Sequence, residues 1–209
     1  MMRFIGINGG TFDPIHYGHL RPALEAMQLL GLHQVRFIPC FQPVHRGKPQ
    51  VSAEQRCEMI ELALQGQPNF VLDKTELLKG GPSYMVETLE ILRKEFAEDS
   101  LVLMMGTDAF AKFDGWYQWQ RILELANIVI LHRPGEPVPQ QGKVGEIYQQ
   151  HQVDEFTAAY GQISDLAVTQ LDISSTQIRD YLGQNLSVQY LLPFKVLQYI
   201  ENNKLYRAQ

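Results

Sequence analysis

His16 and His19 stand three residues apart with Gly18 between them, a short way behind the pair Gly9 and Gly10. On the first turn of a helix that spacing points both imidazoles the same way, and Gly18 removes a side chain from the surface they share. Two ring donors then face one oxyanion. Gly9 and Gly10 let the backbone approach a ligand closely and adopt positive φ, which leaves N–H groups free to face phosphate oxygens. A helix N-terminus disfavours a protonated imidazole, whereas a bound triphosphate favours it and should dominate. The chemistry this suits is stabilisation of charge building on an α-phosphate. A zinc pair would need a third ligand, and no His or Cys lies at a suggestive spacing.

A second constellation lies near the other end, where Ile173, Ser174, Ser175, Thr176, Gln177, Ile178 and Arg179 follow one another. Ser174 or Ser175 suits the N-cap of a helix, whose exposed N–H groups bind anions. Arg179, about one turn in, can reach the same anion with a forked guanidinium. A capping run with a solvated arginine explains this segment equally well on its own. Together with the histidines, however, it fits a triphosphate whose α end meets His16 and His19 and whose β and γ ends meet Ser175, Thr176 and Arg179.

These residues need a scaffold. Residues 4–8 form a short apolar run ending in glycines, residues 20–30 carry apolar side chains at helical spacing, and residues 35–39 read as a second buried strand. That is a βαβ unit, and it implies a parallel sheet with helices on its faces. The alternation continues with a helix over 53–64, a strand over 70–72, a helix over 83–96 and a strand over 101–105. Beyond these come a helix over 119–125, strands over 128–132 and 166–169, and helices over 175–182 and 193–202. The expectation is a doubly wound, Rossmann-like α/β fold with a small C-terminal helical part, forming one domain over residues 1–209. The histidine motif then falls between the first strand and the first helix, where such sheets bind ligands. The irregular stretch 134–161 reads as a surface excursion with a helix near 145–150, and no chemistry is assigned to it.

The composition sets limits. With 18 Lys and Arg against 23 Asp and Glu, the formal charge is -5 and the signs are interspersed, so no basic stripe for a nucleic acid backbone is present. Cys40 and Cys57 are the only cysteines and show no CxxC spacing, which suits a reducing compartment and unremarkable thiols. The opening segment is too short and mixed for a signal peptide, and no segment reaches the ~20 apolar residues of a membrane span. The expectation is a cytoplasmic protein that binds neither nucleic acid nor membrane.

The run GGTFDPIHYGH at residues 9–19, combined with ISSTQIR at 173–179, resembles the nucleotidyltransferase superfamily of the HxGH type. Within it the chain looks like the bacterial nicotinate mononucleotide adenylyltransferases. Intervening residues fall in that family's order: Ile38, Pro39, Pro43, Val44, His45 and Arg46, then Arg56 with Ala63, then Ser83 through Leu89. Gly106, Thr107 and Asp108 follow, then Trp116, and then His132, Arg133, Pro134 and Gly135.

The resemblance implies transfer of AMP from ATP to nicotinate mononucleotide, giving deamido-NAD and pyrophosphate, with Mg²⁺ carried on the ATP phosphates rather than by protein ligands. It implies a catalytic set of His16, His19 and Arg46. ATP would be bound by Gly9, Gly10, Thr11, Phe12, His16, His19, Gly106, Asp108, Ser174, Ser175, Thr176 and Arg179. The acceptor would meet His45, Arg46, Tyr84, Met85, Val86, Thr88, Asp108, Trp116, Tyr117 and Arg133. In that picture Trp116 stacks on the pyridine ring, and the N–H groups of Val86 and Tyr117 receive its carboxylate. Val44 departs from the family's second proline, and Met85 stands where threonine is common, so that position offers backbone only. The oligomeric state is left open between monomer and homodimer. The rivals are a phosphopantetheine adenylyltransferase or cytidylyltransferase of the same superfamily, a tRNA-binding synthetase fragment, which the acidic composition disfavours, and a nucleotide-sensing module without catalysis.

Overall fold

The computed structural model describes residues 2–44 and 47–207; His45 and Arg46, both expected at the site, lie outside the described residues. The chain runs β1 (Phe4–Gly10), α1 (Tyr17–Leu29), β2 (Gln34–Pro39), a short β3 (Gln42–Pro43), α2 (Ala53–Leu64) and β4 (Phe70–Leu72). It continues with α3 (Thr75–Lys79), a short β5 (Pro82–Ser83), α4 (Met85–Glu95), β6 (Ser100–Gly106), α5 (Thr107–Phe110) and a 3-10 turn at Phe113–Gly115. The last elements are α6 (Trp119–Leu125), β7 (Asn127–His132), α7 (Gly142–His151), β8 (Ile163–Ala167), α8 (Ser175–Gly183) and α9 (Phe194–Asn202).

Six strands form one parallel sheet in the order β4-β2-β1-β6-β7-β8, and β3 and β5 pair separately. From β1 the chain winds outward to β2 and β4, then returns to the other side of β1 to build β6, β7 and β8. The reversal opens a crevice beyond the C-terminal ends of β1 and β6, the place where doubly wound sheets take ligands.

Strand alternation distributes the core between the two faces. Ile5, Ile7, Leu101, Leu103, Met105, Ile128 and Ile130 point to one face, where α4, α6 and α7 cover them. Val35, Phe37, Val102, Met104, Val129 and Leu131 point to the other, under α1, α2, α8 and α9. Local signals agree with this packing. The Ser52 hydroxyl accepts from the Gln55 N–H at 3.2 Å and the Gln55 side chain accepts from the Ser52 N–H at 3.1 Å, a reciprocal cap that starts α2.

Three expectations need correction. The helix expected from 83 begins at Met85, because Pro82 and Ser83 are spent on pairing with β3. The last strand spans Ile163–Ala167 rather than 166–169, since it is Ile163, wholly buried, that reaches the core. The stretch 134–161 is more than a surface excursion: Val144, Ile147 and Tyr148 lie three and four apart and bury the inner side of α7. Among the described residues no helix is long and apolar enough to cross a membrane.

Candidate active site

The loop from β1 to α1 carries the first motif. His16 is the N-cap residue of α1 in extended conformation, and His19 occupies the third helical position. Their rings stack at 3.8 Å between centroids with 32° between planes, so the two imidazoles do face the same way. The His16 N–H donates to His19 Nδ1 at 3.3 Å. With Nδ1 accepting, the proton of a neutral His19 resides on Nε2. His16 is only 4% exposed, and burial pushes its imidazole down to about 4, so in the ligand-free protein it is neutral at pH 7. Its buried Nδ1 has no hydrogen-bond partner among the described residues.

Gly18 is required by this stack. A Cβ there would lie 2.9 Å from Cε1 and Nδ1 of His16 and 3.1 Å from the carbonyl of Ile173, so the ring and the segment leading to the second motif both pass over a bare backbone. Gly10 plays the same part for Phe12, whose ring folds back to within 3.0 Å of where a Cβ would stand. Phe12 adopts φ of 50°, a left-handed conformation that costs a non-glycine residue about 1–3 kcal/mol. Its buried ring meets His19 edge-on at 5.0 Å and packs on Phe37. The Phe12 side chain is thus spent on the core and buttresses the histidine.

The second motif docks directly on the first. Ser174 caps α8, accepting from the Gln177 N–H at 3.1 Å. The Ser175 hydroxyl donates to the carbonyl of Pro14 at 2.9 Å across 161 positions of chain. Arg179 donates from Nη1 to the carbonyl of Asp13 at 2.7 Å and from Nη2 to the Thr176 hydroxyl at 3.3 Å. Its buried Nε has no partner among the described residues. The solvated-arginine alternative is thereby removed: the guanidinium lies at the junction of the two motifs.

Buried groups behind the loop fix it further. Arg56, only 1% exposed, donates to the carbonyl of Thr11 at 2.8 Å. Asp13 is also buried and accepts from the Tyr206 hydroxyl and the Gln50 N–H. Thr11 accepts from the Cys40 thiol at 3.5 Å, and burial pushes that thiol up from its ordinary value. No spacing rule in the sequence points to Asp13, Gln50 or Tyr206 as neighbours, because the contacts close loops of 37 and 193 positions.

The remaining candidates sit on or beside α4, after β6 and after β7. Gly106 ends β6 and caps α5, placing Asp108, exposed, at the second helical position rather than at the N-cap. Tyr84 is the N-cap residue of α4, which leaves the N–H of Val86 among those a helix cannot satisfy internally. Its ring lies 4.7 Å from that of Tyr117. Met85 covers Gly9, its Cε only 2.6 Å from where a Cβ would stand. Trp116 is half-buried, set edge-on against Phe113 at 5.9 Å. Thr88 is wholly buried and its hydroxyl donates to Glu76 at 2.8 Å, so it supports α3 against α4 rather than offering a side chain to a ligand. Arg133 is exposed, 3.7 Å from Asp172.

A parallel sheet with a topological switch, a glycine loop carrying stacked histidines and a capped helix docked on that loop together define a class. The cytidylyltransferase-like family model matches residues 7–181, and the chain belongs to that family of nucleotidyltransferases. Its relatives narrow the class. A protein of Hydrogenovibrio crunogenus named "Probable nicotinate-nucleotide adenylyltransferase" is 60% identical over 205 residues, covering 98% of each chain. One of Dechloromonas aromatica with the same name is 46% identical, covering 97% of each. The particular branch to which this chain belongs is thus the nicotinate-nucleotide adenylyltransferases. The same fold occurs in the Plasmodium falciparum nicotinic acid mononucleotide adenylyltransferase complexed with NaAD. That structure aligns with a TM-score of 0.74 at 15% identity, covering 98% of this chain and 97% of the other.

Proposed function

We propose that the protein transfers AMP from MgATP to the phosphate of nicotinate mononucleotide in the cytoplasm, releasing pyrophosphate and forming deamido-NAD. A phosphate oxygen of the acceptor attacks the α-phosphorus in line. The bond from that phosphorus to the bridging oxygen of the β-phosphate breaks, and pyrophosphate leaves with the electron pair. No covalent enzyme intermediate is required, and catalysis rests on positioning and neutralisation of charge. Mg²⁺ enters with ATP as part of the substrate and lowers the charge on the triphosphate.

The protein's own contribution follows from the site. His19, with its proton on Nε2, donates to an α-phosphate oxygen as negative charge builds there. His16 stacks beneath it, and the field of a bound triphosphate draws a proton onto a ring that is neutral without ligand. Backbone N–H groups of the loop Gly9, Gly10, Thr11 and Phe12 cradle phosphate, and Gly106 and Asp108 border the riboses. Ser174, Ser175, Thr176 and Arg179 hold the β and γ phosphates, while His45 and Arg46, which follow Val44 in sequence, meet the reacting groups. Trp116 stacks on the pyridine ring beside Tyr84, Met85 and Tyr117, the N–H groups of Val86 and Tyr117 receive the carboxylate, and Arg133 lies at the acceptor's edge.

The observation that carries this reading is the docking of the second motif onto the first, through Ser175 to Pro14 and Arg179 to Asp13. It brings residues of both motifs to a single loop, which supports their acting together on one triphosphate. The test is incubation with MgATP and, separately, nicotinate mononucleotide, phosphopantetheine and a phosphocholine-type acceptor, with pyrophosphate and nucleotide products scored; a CTP arm tests the cytidylyl alternative. Formation of deamido-NAD from the first acceptor is the expected outcome. Turnover with another pair and none with this one would overturn it.

A further inference from the structure

The histidine loop contains a strained residue with an anchor on each side. Phe12, at φ of 50°, is preceded by Thr11, whose carbonyl accepts from buried Arg56, and followed by Asp13, whose every oxygen is engaged. Asp13 Oδ1 accepts from the Tyr206 hydroxyl at 2.7 Å, Oδ2 from the Gln50 N–H at 2.9 Å, and its carbonyl from Arg179 at 2.7 Å. Strained backbone persists only where the surroundings over-determine it. Three residues beyond Asp13 comes His16, with wholly buried Ile15 between them, so a displacement at Asp13 is passed on to the histidine rather than absorbed.

Tyr206 is the most remote of these anchors, 193 positions along the chain from Asp13 and itself buried. Burial first, and then the charge of Asp13, push the Tyr206 hydroxyl well above its ordinary value, so it keeps its proton and remains a donor. No step of the proposed reaction needs it.

We propose that Tyr206 is a positioning residue for adenylyl transfer: by holding the Asp13 carboxylate it sets the path of the loop and therefore the place of His16 and His19. The kinetic arm of this inference rests on the proposed reaction; its spectroscopic arm does not. Tyr206→Phe removes one hydroxyl and leaves the ring in place. The expected result is a kcat about tenfold lower, with KM for MgATP and acceptor within about twofold of the parent, because misplacement costs the reacting geometry more than the binding. In the ligand-free protein the ring-proton resonance of His16 should shift in the same variant. Asp13→Asn should lower kcat as well, and adding Tyr206→Phe to it should change kcat by less than about twofold, since the hydroxyl acts through the carboxylate.

A contact with a purely structural role would lower Tm and leave both kcat and the His16 resonance where they were; that result in folded Tyr206→Phe overturns the proposal. Full additivity in the double variant overturns it too. If Asp13→Asn does not fold, Tyr206→Phe alone decides. If the parent protein makes no deamido-NAD, the proposed reaction falls, and the His16 resonance still decides the role of Tyr206.

Discussion

Lowering the pH from 7 to 5 should weaken the folded protein through His16 alone by about 2 kcal/mol, a figure that follows from one buried ring. Burial holds the His16 imidazole at about 4 in the native state, against an ordinary value of 6.5 once the chain unfolds. Between those two values the unfolded chain binds a proton that the folded protein refuses, so stability falls as pH falls through that window. Above about pH 6.5 the effect vanishes, and below about pH 4 it levels off near a total of about 3 kcal/mol. The other histidines also titrate, so the comparison is between the parent and His16→Gln. Urea unfolding of each at pH 7 and pH 5 isolates the contribution, with the parent losing about 2 kcal/mol more than the variant. A ring-proton titration of His16 gives the same quantity directly. Equal losses in the two proteins, or a His16 midpoint near 6.5, would refute the claim that the ring is held neutral by burial.

Further expectations follow from the same geometry. The His16 midpoint should rise when a non-hydrolysable ATP analogue binds, since nearby negative charge favours the imidazolium; NMR titration with and without the analogue checks this, and an unmoved midpoint would place the triphosphate elsewhere. His19→Ala should lower kcat by roughly 10² or more in a folded protein, the usual consequence of removing one donor to a developing oxyanion, and near-normal turnover would remove His19 from the mechanism. Gly18→Ala drives a Cβ to 2.9 Å from the His16 ring and 3.1 Å from the Ile173 carbonyl, and overpacking of this kind costs about 1–3 kcal/mol. A lower urea midpoint together with reduced turnover is expected, and parent-like values of both would show that the stack is not tight. Arg179→Ala should raise KM for MgATP by roughly tenfold or more through loss of a charge-assisted contact, and an unchanged KM would mean the guanidinium only staples the loop to α8.

The architecture was legible in the sequence wherever periodicity was long enough to read. The apolar runs that became β1, β2, β6 and β7 and the helical spacing of α1, α2, α4 and α8 yield the doubly wound sheet, and with it the crevice holding the histidines. Short elements escaped: β3 and β5 are two residues each, and α3 and α5 are five and four, too short for a period to register. The inner stripe of α7 was hidden by the Gln residues around it. At the site, the residue types and spacing of His16, His19 and Gly18 suffice to anticipate that the two rings face the same way, because the geometry lies within one helical turn. The second motif could be recognised as a helix cap and set beside the histidines through a shared triphosphate, but its contact with Pro14, being tertiary, could not be read. That the Thr88 hydroxyl is buried and donates to Glu76 could not be read either, because family order says nothing of burial. Asp13 and Tyr206 left no local trace.

The central claim is adenylyl transfer to the acid form of the pyridine nucleotide, and its most direct test is kcat/KM for nicotinate mononucleotide against nicotinamide mononucleotide under the same MgATP conditions. Two N–H donors, from Val86 and Tyr117, converge on the ring substituent in the proposed pose. A carboxylate satisfies both, whereas a carboxamide turns its NH₂ against one of them. A buried donor left unpaired costs about 1–3 kcal/mol, and the lost charge assistance adds to it, so a preference of about 10² or more for the nicotinate form is expected. Stacking on Trp116 serves both rings alike and cannot produce the difference. Equal kcat/KM for the two would contradict the acid-specific pocket, and no turnover of either would contradict the reaction itself.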